Sequence, residues 1–148
     1  MQRYTYQASA HWMLHERGGV KAEGIAPDLD FTVPPEFGGE SGLWTPEHLL
    51  LAAVASCYVA TFRGVAEKSH LEFQSIEVSV EGVIEKQDNC LCFTRITLRP
   101  EATINREADS ERAGLLLEKA ERGCLIARSL SAEFVLQPRI VVQSPVAV

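Results

Sequence analysis

Apolar residues fill every face of the stretch from Leu49 to Phe62, which no strand or surface helix requires. Thr45 precedes it as an N-cap, Pro46 suits the first helical position, and Glu47 suits the positive helix end. The pattern predicts a helix from Thr45 to His70 that is buried all round rather than on one stripe. On both sides of it the period is two. Tyr4 to Trp12 alternates loosely and reads as a strand, Glu16-Arg17-Gly18-Gly19 as a turn, and Val20 to Gly24 as the second arm of a hairpin. Leu29, Phe31 and Val33 alternate within a segment rich in Pro and Gly and predict a third short strand.

Beyond the helix, Ile76, Val78 and Val80 face one way and Glu77, Ser79 and Glu81 the other, so Phe73 to Ile84 reads as a half-buried strand. Glu85 to Asn89 is a polar turn, and Cys92 to Leu98 is the partner strand, closed by Pro100. A helix starts near Asp109, taken as its N-cap, carries Leu115, Leu116, Leu117 and Ala120, and stops at Gly123. A short helical turn runs to Leu130, Glu133 to Val142 is a last strand, and the tail from Ser144 is expected to be loose. The order β-β-β-α-β-β-α-α-β points to the α+β class in one domain, 1–148. A helix apolar on every face is hard to enclose within one small chain, and a homodimer that packs two such helices together solves this.

Composition narrows the function classes. The 148 residues are 46% hydrophobic and 23% charged, with a net charge of -6 from 14 basic and 20 acidic residues. No basic stripe offers a nucleic-acid surface. The Leu49–Phe62 run is shorter than the ~18–20 residues that span a bilayer, so no membrane partner is expected. Met1 to Tyr4 carries no signal-type apolar segment, and a cytoplasmic location follows, where thiols stay reduced unless their chemistry is catalytic or redox-sensing. The four cysteines, Cys57, Cys90, Cys92 and Cys124, include no Cys-x-x-Cys pair, and the four histidines are scattered, so spacing supports no metal site.

Taken singly, these groups have ordinary readings. Cys57 is a small hydrophobe in a buried helix, with Ala53, Ala60 and Thr61 leaving room round its sulfur. Cys90 and Cys92 share one strand face. Arg17 is a solvated turn arginine and Glu47 a helix-start carboxylate. Cys124 follows a helix-ending glycine and opens a new turn, where free N–H groups favour a thiolate.

Together they resemble the OsmC/Ohr family (osmotically induced protein C and organic hydroperoxide resistance protein). Ala10-His11-Trp12 with Arg17-Gly18-Gly19 is similar to its first hairpin. Thr45-Pro46-Glu47-His48-Leu49, running into Ala55-Ser56-Cys57, is similar to its Pro-Glu helix start and first cysteine. Lys119 to Cys124, with Ser129 to Glu133, is similar to its second-cysteine segment. Arg17-Gly18-Gly19 is closer to the OsmC branch, and Leu125 stands where the family often has proline. The resemblance implies an OsmC-like fold, β3-α-β2-α2-β, as an intertwined dimer with central buried helices flanked by mixed sheets.

It also implies a two-cysteine, thiol-dependent peroxidase in oxidative-stress defence that needs no cofactor. Cys57 is then the thiol attacking organic hydroperoxides, and possibly hydrogen peroxide. Cys124 closes a disulfide with it, and a thiol or dithiol reduces the bridge. Arg17 is the cation expected to lower the Cys57 pKa, with Glu47 holding Arg17 through a bidentate pair. Glu47 and Cys57 are ten residues apart, about 15 Å of rise and roughly 80° of offset on a straight helix. Either the helix breaks between them, or Glu47 and Arg17 reach the site from a second subunit. The apolar residues Trp44, Tyr58 and Phe62 are expected to favour organic hydroperoxides. The competing reading is a non-catalytic redox sensor or small-molecule binder of the same fold.

Overall fold

The computed structural model describes residues 1–13 and 17–144. Glu16, the first residue of the expected turn, lies outside them. The chain divides into two compact units, Met1–Leu50 and Leu51–Val148.

The first unit is a three-stranded antiparallel sheet of β1 (Ser9–Met13), β2 (Arg17–Ala22) and β3 (Ile25–Phe31). Strand and turn differ here from expectation. Tyr4 to Ala8 is not strand, and Arg17, Gly18 and Gly19 lie inside β2 rather than in the turn. The reason is cross-strand packing. Gly18 pairs with Phe31 and Gly19 with His11, and a Cβ on either glycine would run into the partner's ring. Glycine in a strand here makes room for a ring opposite. Trp12 meets the Phe31 ring edge-on at 5.8 Å. A 3-10 turn, Pro35–Phe37, follows β3.

The long helix α1 (Pro46–Lys68) starts as its sequence predicts. The His48 N–H donates to Thr45 Oγ1 at 3.2 Å, and the Thr45 hydroxyl also contacts His48 Nδ1 at 2.7 Å. The helix is not buried all round within the chain. Only Val54, Tyr58, Phe62 and Ala66 are fully enclosed, a stripe with a four-residue spacing. Helical structure also runs well past the Leu49–Phe62 segment at both ends. By length and composition alone, α1 is therefore long and apolar enough to cross a membrane. Its enclosed stripe packs as a core helix does.

That stripe joins one core with the second sheet. β4 (Phe73–Gln87) and β5 (Cys90–Ile104) form a long antiparallel hairpin, closed by Asp88-Asn89, both at positive φ (46° and 67°). Two such residues are what a tight hairpin turn needs. β5 continues through Pro100, where its sequence suggested an end. Its other neighbours explain why. β6 (Glu133–Leu136) pairs in parallel with Arg95 to Leu98, and β7 (Arg139–Val142) with Glu101 to Ile104. Pro100 falls in the gap between them, so its missing N–H costs no bond on that side. The expected single last strand is thus two, divided at Gln137-Pro138.

Ile96, Leu98, Pro100, Ala102 and Ile104 alternate inward along β5. They meet the α1 stripe and Ala113, Leu116, Leu117 and Ala120 of α2 (Ser110–Gly123) in the core. Asp109 does not cap α2 with its side chain. Its carboxylate binds Arg106 at 3.1 and 3.2 Å and Arg112 at 3.3 Å. The short α3 (Leu125–Arg128) begins directly after Cys124.

Candidate functional site

Two elements of the second unit bring two sulfurs together. Cys57 lies mid-way along α1, one position before the enclosed Tyr58, and is half-buried. Cys124 terminates α2 and precedes α3 in extended backbone (φ -67°, ψ 111°), and it is fully buried. Both thiols are free, and they are close enough for each to shift the other's ionisation. Sixty-seven positions of sequence are closed by packing of the two helices against β5.

The first N–H groups of a helix have no partner within it. At the start of α3 they meet the sulfurs. Burial pushes the Cys57 thiol up, but hydrogen bonds from the Ile126 N–H, the Cys124 thiol, the Thr61 hydroxyl and the Leu125 N–H outweigh it. The net effect lowers its pKa below the ordinary thiol value. Cys124 goes the other way. Burial comes first among the causes, the Cys57 sulfur adds to it, and N–H donors from Ala127 and Ile126 only partly offset them, so Cys124 is pushed up to about 11. One sulfur ionises more readily than an ordinary thiol and its neighbour less readily.

This reverses one expectation. Cys124 was expected to gain thiolate character from its position after Gly123, but enclosure wins there. Within the chain, the donors that lower the Cys57 pKa all come from its own unit. The donors missed by the sequence reading are backbone N–H groups, which no residue type advertises. The one available signal was Leu125, which, unlike proline, has an N–H.

The pair should be separable by pH. A lowered acid pKa means that the anion is lost only as pH falls through that lowered value, whereas a raised one delays ionisation. Alkylation followed by peptide mass spectrometry should modify Cys57 from below the ordinary thiol range upward, and Cys124 only as pH approaches about 11. Equal pH profiles would contradict this electrostatic arrangement.

In the first unit Arg17 makes a bidentate pair, but its partner is Glu40 rather than Glu47. Nε reaches Oε2 at 3.3 Å and Nη2 reaches Oε1 at 3.1 Å, on the surface. Glu40 follows Gly39, whose position against the Val33 carbonyl leaves no room for a Cβ. Glu47 is half-buried, and its Oε2 is shielded from solvent with no hydrogen-bond partner among the described residues. α1 is unbroken from Pro46 to Lys68, so the helix break offered as one alternative does not occur.

The aromatic residues also need correcting. Tyr58 and Phe62 are fully enclosed, Tyr58 donating to the Leu117 carbonyl at 2.9 Å and Phe62 stacking edge-on against Phe73 at 5.3 Å. Neither can touch a substrate. Consecutive helical positions are about 100° apart, which turns Tyr58 inward while Cys57 stays partly open. Trp44 remains 46% exposed. Cys90 and Cys92 sit at the tip of the β4–β5 hairpin, Cys92 Sγ donating weakly to Gln87 Oε1 at 3.5 Å.

A model of the OsmC-like protein family matches residues 38–138, a span that contains both sulfurs. The chain belongs to the OsmC-like family. Among curated relatives it is 28% identical over 142 residues to YmaD of Bacillus subtilis, an uncharacterized protein, covering 93% of each. It is 26% identical over 134 residues to the peroxiredoxin OsmC of Escherichia coli, covering 88% of this chain and 92% of that one. Among solved structures, an OsmC-like protein of unknown function from Vibrio cholerae superposes with a TM-score of 0.84 at 18% identity, over 92% of this chain and 99% of that one. An organic hydroperoxide resistance protein OsmC from Legionella pneumophila does so at 0.76 and 24% identity, over 96% and 100%. The α+β, OsmC-like fold is thereby established, within a family that includes peroxidases.

Proposed function

We propose that this OsmC-like protein is a thiol-dependent hydroperoxide reductase working through Cys57 and Cys124. The Cys57 thiolate attacks one oxygen of a hydroperoxide. The O–O bond breaks, Cys57 becomes a sulfenic acid, and the departing alkoxide takes a proton to leave as an alcohol. The Cys124 thiol then attacks the sulfenic sulfur, a disulfide forms, and water leaves. A thiol or dithiol restores both thiols by exchange. The observation that carries this reading is the contact between an N–H-cradled Cys57 and a protonated Cys124. Neighbouring sulfurs need only a modest movement to reach the ~2.05 Å of a disulfide.

Arg17 acts in this reading on the peroxide oxygens, supplied with Glu47 by the partner subunit of a homodimer. Two facts favour the second copy. The most apolar window of α1 has a mean hydropathy of 1.7, yet only 22% of it is buried within the chain. The Glu47 oxygen is shielded but unpartnered, a costly state that a donor from elsewhere would relieve. Trp44 is the aromatic residue left to meet an organic substituent. The reducing cytoplasm suits thiols that must cycle.

The test is peroxide-dependent oxidation of a dithiol by the purified protein. Sustained turnover is expected, faster with an alkyl hydroperoxide than with hydrogen peroxide. A single oxidation that no thiol or dithiol reverses would instead indicate a redox sensor.

The Leu125 N–H offers a milder check. Leu125 opens α3, where proline is well tolerated, and Cys124 already has the extended backbone that precedes a proline. Leu125→Pro should keep the fold, remove one donor, and slow Cys57 alkylation near neutral pH about threefold, while Leu125→Ala leaves it unchanged. Identical rates for both variants would deny that N–H a role.

A further inference from the structure

One turn beyond Cys57, Thr61 carries a hydroxyl with a single proton and two acceptors on the same residue. Thr61 Oγ1 donates to the Cys57 carbonyl at 2.7 Å, and the same hydroxyl favours the ionised form of the Cys57 thiol. A threonine in a helix divides between two rotamers, one of which bonds the carbonyl a turn back. Here its methyl group has a seat. A Cβ on Gly123 would stand 3.4 Å from Thr61 Cγ2, so the residue before Cys124 presents just the space that the methyl faces. With the methyl settled there, Oγ1 stays beside Cys57.

Building on the reading of Cys57 as the attacking thiol, we infer that Thr61 is a switching donor to the reacting sulfur. While Cys57 is protonated, the Thr61 hydroxyl points its proton at the Cys57 carbonyl. When Cys57 ionises, the proton swings to Sγ by rotation about the Cβ–Oγ bond, with no movement of carbon atoms. The carbonyl is not orphaned, because it keeps the backbone bond from the Thr61 N–H in the helix ladder. The sulfur gains a donor at the moment it becomes an anion, and bonds to charged groups are the stronger ones. As sulfenic acid forms, the charge disappears and the proton can return to the carbonyl. Thr61 therefore follows the charge of the nucleophile through the cycle.

Two substitutions separate this role from packing. Thr61→Val keeps the shape and both branches but removes the oxygen, while Thr61→Ser keeps the oxygen and removes the methyl. The measurement is the rate of Cys57 alkylation against pH in the full-length protein, read by peptide mass spectrometry. Thr61→Val is expected to move the profile to higher pH and lower the rate about tenfold below its plateau, with the alkaline plateau unchanged. Thr61→Ser, which loses the methyl's seat but keeps the donor, is expected to shift the midpoint much less than Thr61→Val. An unmoved profile in Thr61→Val overturns the inference, and so does an equal shift in Thr61→Ser, which would mark a packing role. Thr61→Ala repeats the oxygen deletion should the valine variant fold poorly. If the profile shifts as expected but the wild type shows no peroxide turnover, the donor role stands and the peroxidase reading fails. Turnover with an unmoved profile has the opposite meaning.

Discussion

Replacing Cys57 by serine is expected to lower peroxide-dependent dithiol oxidation about a thousandfold or more. The reason is elementary. Sulfur attacks the weak O–O bond as a polarisable anion, and the N–H, hydroxyl and thiol donors round Cys57 favour that anion. A serine hydroxyl in the same cradle stays protonated and is a poor nucleophile. The substitution is nearly isosteric at a half-buried position, so circular dichroism and thermal unfolding should stay close to wild type. Cys124→Ser should behave differently. One equivalent of peroxide still reacts, but the sulfenic acid has no partner thiol. It persists long enough to be trapped by a dione reagent and then over-oxidises to sulfinic acid. Wild-type turnover by Cys57→Ser would remove the proposed chemistry altogether.

Mixing two inactive variants should restore activity if Arg17 acts across a dimer. Arg17→Ala should slow the reaction with peroxide about a hundredfold or more, because a charged donor at the departing oxygen is lost. It should leave alkylation of Cys57 by a neutral reagent almost unchanged, since the local donors that lower the Cys57 pKa remain. Co-refolded with Cys57→Ser, random pairing makes about half of the dimers mixed. Each mixed dimer then has one complete site, combining an intact Cys57 from one chain and an intact Arg17 from the other. About a quarter of wild-type activity is expected in total. If Arg17 served the Cys57 of its own chain, no mixed dimer would hold a complete site. Activity no higher than that of the separate variants would refute the crossing.

The local grammar of this chain is strong. Thr45 and Pro46 start α1 where capping chemistry says they should, because the His48 N–H needs the Thr45 oxygen. Alternation along Ile76, Val78 and Val80 announces β4, and the pair of αL residues Asp88 and Asn89 closes its hairpin. Boundaries were misread where a neighbouring strand mattered more than the residue itself. Pro100 looks like a terminator, yet it falls in the gap between two parallel partners, and glycines that look like a turn form the part of β2 beneath two aromatic rings.

The sequence alone determined the α+β class and the central helix, because capping and periodicity act over short range, whereas Arg17, Glu47, Cys57 and Cys124 stand out only through their resemblance to OsmC/Ohr motifs. Tertiary structure decided which sulfur ionises more readily. Enclosure raises Cys124, while Cys57 is lowered by backbone donors from a turn sixty-eight and sixty-nine positions away. It also decided that Arg17 meets Glu40 within its unit. Desolvation and the direction of N–H groups depend on what packs against a residue, and those neighbours are distant in the chain.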